Sequence, residues 1–519
     1  MKRILYILVC AICMTTTTMV ASWPQWRGAQ RNGVAAQEPS LSTEFSEEGP
    51  KLLWESLEIP SDDDGGHGSV VVHGGFAYLG LVWHRDVPAE ERTIDNRVLR
   101  KLGHRRTKLS PVKIAAMEKA RLGLSPRLRG KTLETWMDQW IDQHLDEEEK
   151  LHYSGYVKSR FKQGKLAIPI EILDTVSTKE NEKFPNHASL MQWVGGQDWP
   201  KEIMEKVVDA IPHTRRIATE TVICLNASNG KEAWRFEEAC EIMGRSAAST
   251  PCVVGERIYA ACGKNIYSLN ARTGKLIWKT ALESTGPASS PLHVEGRIIL
   301  LDNNLKAIDT ANGALLWEQK EVRGKNASPS TWGSGKNLTI LCHSGSEFMG
   351  VNGNNGEIRW KTSGGGDSTA AVNGDLVAVL NKKSNPGLAV YRIRPDGIEK
   401  VWEHLYTSRR YAASPIIYKN RVFLLGSERH LCADISTGKI LWNKPASSAI
   451  SSPILADGKL IVLQNNGAIL KILDATSSDY QELASAKIRA MRCPSPAIDN
   501  GLLYIRRDDR ISCFDIRKK

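Results

Sequence analysis

The chain has 519 residues, 41% of them hydrophobic and 24% charged, which places it among globular proteins and excludes wholesale disorder. Its formal net charge of +11 favours anionic partners, although evenly scattered cations would give the same sum without forming a patch. No internal stretch approaches 18 uninterrupted apolar residues, so no transmembrane span is expected.

In chain order, residues 1–22 read as a signal peptide. Lys2 and Arg3 form the basic flank, Ile4 to Met14 the apolar stretch, and Val20-Ala21-Ser22 a small-residue cleavage site before Trp23. Val9 precedes Cys10 and Ile12 precedes Cys13, where a lipoprotein acceptor needs a small residue, so a periplasmic or secreted protein is expected. The cysteines beyond the signal include no adjacent pair, CxxC or CxxCH, which removes the main support for zinc, thioredoxin-like and c-type haem chemistry.

Residues 23–85 start the globular body. Lys51-Leu-Leu-Trp54-Glu reads as a strand, and Ser69 to Trp83 as an inner hairpin preceded by the loop Gly65-Gly66-His67-Gly68. Residues 86–215 lose the strand pattern and gain charge. Ser110-Pro111 opens a helix through Ala120, with Ser as cap and Pro at the first helical position. Thr132 to Lys150 reads as a second helix, with Leu133, Trp136, Met137, Trp140 and Ile141 on one apolar face; Lys201 to Ala210 is a third. Such faces need a partner, which predicts a helical insertion that is a small helical domain or a lid packed on a rim of the body. Arg97, Arg100, Lys101, His104, Arg105, Arg106 and Lys108 make a basic run, read as a solvated linker or an anion-binding surface, with the acidic stretch Asp146 to Glu149 neutralising it. Without interleaved aromatics or a recognition motif, it does not suggest nucleic acid.

From residue 216 onward a repeat governs the chain. Cys224-Leu-Asn-Ala-Ser-Asn-Gly-Lys-Glu-Ala-Trp234 returns as Ser268 to Trp278, Ala307 to Trp317 and Gly350 to Trp360, with looser copies ending at Trp402 and Trp442. The tryptophans recur 39 to 44 residues apart, a propeller period. A second landmark, a hydroxyl residue often followed by Pro at a strand start, falls at Ser69, Thr250, Ser290, Ser328, Ser368, Ser414, Ser452 and Ser495. The final copy, Ile511 to Ile516, ends without its Trp strand, and Lys51 to Glu55 supplies one. The expectation is an all-β, eight-bladed β-propeller closed by the N-terminal strand, which leaves no open sheet edge. In each repeat Asn or Asp bonds the backbone two residues on, Gly takes positive φ, and the Trp (Trp54, Trp234, Trp278, Trp317, Trp360, Trp402, Trp442) docks between blades as structure rather than as a ligand box.

Loops ahead of the inner strands open toward the propeller axis. His67, Arg245, Lys325, Asp367, Arg409, Arg410 and Arg492 occupy them, which predicts an electropositive funnel for an acidic protein segment or an anionic glycan.

These repeats, and the opening Trp23-Pro-Gln-Trp-Arg-Gly-Ala-Gln-Arg-Asn-Gly-Val34, resemble the PQQ-type propeller family. That family includes quinoprotein alcohol dehydrogenases and the propeller subunit of the outer-membrane β-barrel assembly machinery. The resemblance covers residues 23–85 and 216–519 and specifies fold rather than activity. Its dehydrogenase branch implies calcium-bound quinone under a ring of two adjacent disulfide-bonded cysteines, with an Asp base. No two cysteines here are adjacent, and Asp62-Asp63-Asp64 and Asp302 follow no ligand spacing, the former reading as a solvated turn. The expected function is therefore an exported, non-enzymatic binding scaffold with envelope protein partners, no cofactor and no catalytic or metal residues. The alternative is a dehydrogenase oxidising an alcohol or sugar with PQQ and calcium.

Overall fold

The computed structural model describes residues 22–519 other than 244–247, 285, 287, 288, 409 and 447–450; the predicted signal segment lies almost wholly outside the described residues. Short strands joined by tight turns build an all-β body of eight sheets with three to five strands each among the described residues, beside one two-strand ribbon. The first sheet pairs Val71–His73, Phe76–Pro88, Thr214–Asn226 and Glu232–Cys240. Successive sheets follow in chain order to the eighth, where Lys51–Glu55 pairs antiparallel with Ile511–Asp515 and sets Trp54 opposite Cys513.

A relay of hydrogen bonds runs along the starts of the inner strands. Ser69 N donates to Thr250 Oγ1, Thr250 N to Ser290 Oγ, and Ser290 N to Ser328 Oγ, at 2.9–3.0 Å. Thr369 N donates to Ser414 Oγ, Ser414 N to Ser452 Oγ, Ser452 N to Ser495 Oγ, and Ser495 N returns to Ser69 Oγ. The fifth landmark is thus Thr369 and not Ser368, whose hydroxyl donates to Leu380 O. The Thr369 hydroxyl oxygen instead accepts from Trp26 Nε1 at 2.9 Å.

Each docking Trp reaches into the turn of the next sheet. Trp54, Trp234, Trp278, Trp317 and Trp402 lie over Gly230, Gly274, Gly313, Gly356 and Gly438, where a Cβ would fall 2.3–2.8 Å from the ring. All five glycines have positive φ, so the position excludes a side chain both sterically and conformationally. These indoles donate to Ala227 O, Ala271 O, Thr310 O, Gly353 O and Ile435 O at 2.7–3.2 Å. The sheets following Trp360 and Trp442 lack that positive-φ glycine, and these two indole nitrogens are buried without a hydrogen-bond partner.

Between Pro88 and Thr214 the chain is largely helical: α1 (Asn96–Leu102), α2 (Pro111–Leu122), α3 (Gly130–His144), α4 (Glu147–Gln163), α5 (Ile170–Ser177), α6 (His187–Gly195) and α7 (Lys201–Ala210). The flanking strands run past the expected limits of 86 and 215, pairing without a break from Phe76↔Asn226 to Pro88↔Thr214. The expected helix Thr132 to Lys150 is two helices. Asp146 caps α4, its side chain accepting from Glu149 N while the Glu149 carboxylate accepts from Asp146 N. The acidic stretch is therefore a helix start that complements the helix dipole, not a neutraliser of the basic run.

The helices bury their faces on one another, as a small helical domain would, rather than on the sheets as a lid would. One core joins Val98, Leu173, Leu190 and Val207, and another joins Met117, Met137, Trp140 and Phe161; neither includes a residue of the sheets.

Candidate functional site

The inner strand of the first sheet runs from Ser69 to the turn at Gly74-Gly75, so the next strand, Phe76–Pro88, returns to the end where the His67 loop lies. The helices therefore stand on the loop-bearing end of the body. Ion pairs mark the junction. Arg97 binds both carboxylate oxygens of Asp86 at 3.0 Å, Arg100 pairs with Asp63, and Arg216 Nη2 lies 2.7 Å from Asp64 Oδ1. Asp62 to Asp64 is thus a bridging turn rather than a solvated one. The basic run is divided: Arg97 and Arg100 are engaged by Asp86 and Asp63, whereas Lys101, Arg105, Arg106 and Lys108 are exposed, as a solvated linker would be.

The His67 loop is held from beneath by Arg506, which is buried in the eighth sheet and donates to Pro60 O, Gly65 O and Gly68 O at 2.8–3.0 Å. With only carbonyl dipoles to compensate it, burial lowers the Arg506 guanidinium to about 10. A Cβ on Gly65 would fall 1.9 Å from Pro60 O, which explains the glycine there. His67 Nε2 lies 3.4 Å from Asp62 Oδ1, and Arg492 Nη2 lies 4.0 Å from Asp62 Oδ2. His67 and Arg492 thus both approach Asp62, which with Arg492, Arg489 and Asp508 lines a cleft of ≈ 320 Å³.

Lys325 and Asp367 meet elsewhere, in a cleft of ≈ 210 Å³ shared with Asn326, His343, Lys382 and Lys383. Lys382 Nζ lies 2.7 Å from Asp367 Oδ2, and Asn326 Nδ2 donates to Asp367 Oδ1 at 3.1 Å. Burial lowers His343 to about 4, leaving it neutral at pH 7. A third cleft, of ≈ 490 Å³, separates the helices from the first sheet and is lined by Asp63, Asp95, Arg97, Arg100, Arg216 and Met243. The predicted residues are therefore distributed over distinct clefts rather than gathered at one point. Arg410 is exposed, and Arg245 and Arg409 lie outside the described residues.

Sequence reasoning missed the segment Trp23 to Ala35. Trp23 bridges Val72 of the first sheet, Pro24 O accepts from Val253 N of the second, and Val34–Ala35 pairs in parallel with Leu455–Ala456 of the seventh. Arg31 donates to Ser290 O and Pro291 O, and Arg27 to Ser414 O and Pro415 O. Burial, reinforced for Arg27 by the Arg31 charge, lowers these guanidiniums to about 9 (Arg27) and about 10 (Arg31). One short segment thus ties together sheets that are distant in sequence. Its available signal was Trp-Pro-Gln-Trp-Arg-Gly, two tryptophans around turn formers in a stretch with no strand pattern.

Calcium-bound quinone needs convergent oxygen ligands. Among the described residues no group of three or more His, Cys, Asp or Glu is arranged to hold a metal ion, and the eight cysteines there are free.

Repeated sheets, glycine-docked tryptophans and their order define a PQQ-like β-propeller. Residues 218–367 and 302–518 match the family model described as outer membrane protein assembly factor BamB, and the chain belongs to that family. It is similar to BamB of Yersinia pestis, 22% identical over 265 residues that cover 48% of this chain and 65% of that protein. It also resembles the quinohemoprotein alcohol dehydrogenase ADH IIB of Pseudomonas putida, 29% identical over 131 residues, 21% of this chain and 18% of the enzyme. Among solved structures, BamB from Moraxella catarrhalis matches at a TM-score of 0.47 and 16% identity, covering 59% of this chain and 92% of the other. The chain thus spans just under two thirds of the length of the first of these relatives.

Proposed function

We propose that this protein is an exported, non-enzymatic scaffold that binds a cell-envelope protein on its loop-bearing end. In this reading the eight sheets are eight blades closed by the N-terminal strand, and the helices are an insertion in the first blade. The observation that carries it is the family match across residues 218–518, whose model describes an assembly factor rather than an oxidoreductase. The geometry supports it: rigid sheets present His67 and Arg492, and separately Lys325 and Asp367, on one end, beside a helical segment with its own cores. An acidic segment of the partner is the complementary ligand, with the exposed Arg410 adding positive charge.

Two experiments test the reading. Affinity capture from an envelope extract is expected to retain a specific protein that is lost when residues 89–213 are deleted or when Lys325 and Arg492 are both reversed to Glu. Incubation with PQQ and calcium is expected to yield no dye reduction with alcohols or sugars; sustained turnover would replace the scaffold by the dehydrogenase.

A further inference from the structure

Three clefts among the described residues differ in charge balance. In the two beside the helices and His67, acids match bases: Asp62 and Asp508 stand with Arg489 and Arg492, while Asp63, Asp95 and Glu180 stand with Arg97, Arg100 and Arg216. The cleft formed by the third, fourth and fifth sheets is different. Arg323, Lys325, Lys382 and Lys383 line it against the single carboxylate of Asp367, which Lys382 and Asn326 already engage. Among the described residues, Arg323, Lys325 and Lys383 make no ion pair, as the salt bridges around them end on other groups. Three cations without an ion pair around one small cavity repel each other, so the local rule of charge balance is broken where a ligand would restore it.

The cavity walls are pre-formed. A Cβ on Gly365 would fall 2.2 Å from Gly345 O, and one on Gly366 would fall 3.0 Å from Leu380 O, so these loops pack backbone against backbone. His343, 2% exposed, underlies them, its Nε2 3.4 Å from Ser368 Oγ. A volume of ≈ 210 Å³ is below the range of about 300–1,000 Å³ typical of sites for drug-sized ligands and cofactors, and suits one charged group.

We propose that this cleft is an oxyanion-binding site, seating one phosphate or one carboxylate between Lys325 and Lys383. The proposal rests on reading the loop-bearing end as the binding end, and it names the chemistry taken there: a compact oxyanion, either free phosphate or the acidic side chain of a peptide.

Titration calorimetry with inorganic phosphate, and separately with a hexaglutamate peptide, tests it on the full chain. Saturable binding of either probe is expected, and which probe binds identifies the source. The double variant Lys325→Glu/Lys383→Glu is expected to weaken that binding by about tenfold or more, because like charges would then face the ligand. The neutral pair Lys325→Gln/Lys383→Gln is expected to weaken it less, and serves if the reversal disturbs folding. Lys231→Glu/Lys439→Glu makes the same charge change at exposed lysines beside the docking turns, at the other end of the sheets, and is expected to leave affinity within about twofold. Equal weakening by the two reversals, or no saturable binding of either probe, overturns the site. Capture of an envelope partner uses neither probe, so failure of the scaffold reading registers separately.

Discussion

In the sheets, apolar side chains are shared across neighbours: Val71 and Tyr78 of the first sheet pack with Ile258 and Tyr267 of the second, and Phe423 and Cys432 of the sixth with Leu460 and Leu473 of the seventh. In the helical segment they are kept within it, in two small cores. A strand presents two faces, so a sheet between two others buries both, and every docking Trp adds a fixed point to the next sheet. A short helix buries one stripe and finds its partner locally. The two regions therefore meet through charges, with Asp63 and Asp86 holding Arg100 and Arg97 of the first helix. The sheets are thus expected to lose stability collectively, and the helices on their own.

The sharpest way to break this contrast lies inside the second helical core. The Glu118 carboxylate bridges two buried guanidiniums, Arg121 and Arg160, with hydrogen bonds of 2.6–3.0 Å. Glu118→Ala leaves both cations uncompensated and is expected to cost about 3–5 kcal/mol. Hydrogen exchange should accelerate across residues 109–170 while sheet amides keep their protection. Loss of protection in both regions would show one cooperative unit.

Trp317→Ala is the counterpart in the sheets, with an expected cost of about 3–5 kcal/mol spread over the third and fourth sheets. Replacement by Phe sharpens the test. Trp317→Phe forfeits the indole bond to Gly353 O and is expected to cost about 1 kcal/mol more than Trp360→Phe, whose indole nitrogen has no partner to lose. Chemical denaturation of the three variants measures both differences.

A smaller, pH-dependent effect is expected in the eighth sheet. Burial, and then the neighbouring Glu38 charge, push the Asp499 carboxyl up to about 7. The folded state therefore holds the proton more tightly than the unfolded chain, so this contribution is complete below about pH 4 and is lost as pH rises through about 7. Asp499→Asn should flatten the fall in melting temperature across that window and raise the melting temperature above it.

The smallest expected effect is at the junction. Asp63→Asn with Asp86→Asn removes partly exposed ion pairs, each worth about 0–1 kcal/mol, and should barely change the melting temperature. It should nevertheless move the helical segment relative to the sheets, with a difference from the parent that is largest at low salt, as read by small-angle scattering. An unchanged scattering profile would mean that the long Phe76–Pro88 and Thr214–Asn226 ladder alone fixes the geometry.

The docking repeat was legible because it is local: an Asn or Asp bonds two residues on, a glycine takes positive φ, and a tryptophan follows four residues later. Pairing of Trp54 with the last strand was legible because one end lacked what the other possessed. The site was less legible. Residues at equivalent positions in successive repeats look like one funnel on paper, but sheet spacing separates His67 and Arg492 from Lys325 and Asp367. The start of the basic run was misread because the partners of Arg97 and Arg100, Asp86 and Asp63, lie outside the helical core and become neighbours only when the strands fold back. Arg27 is the extreme case. A sequence offers a cation for solvent, and only convergence of carbonyls from Asn32, Ser414 and Pro415 makes its burial affordable. Local turn chemistry is written in a few consecutive residues, whereas an environment assembled from residues 387 positions apart exists only after the sheets have come together.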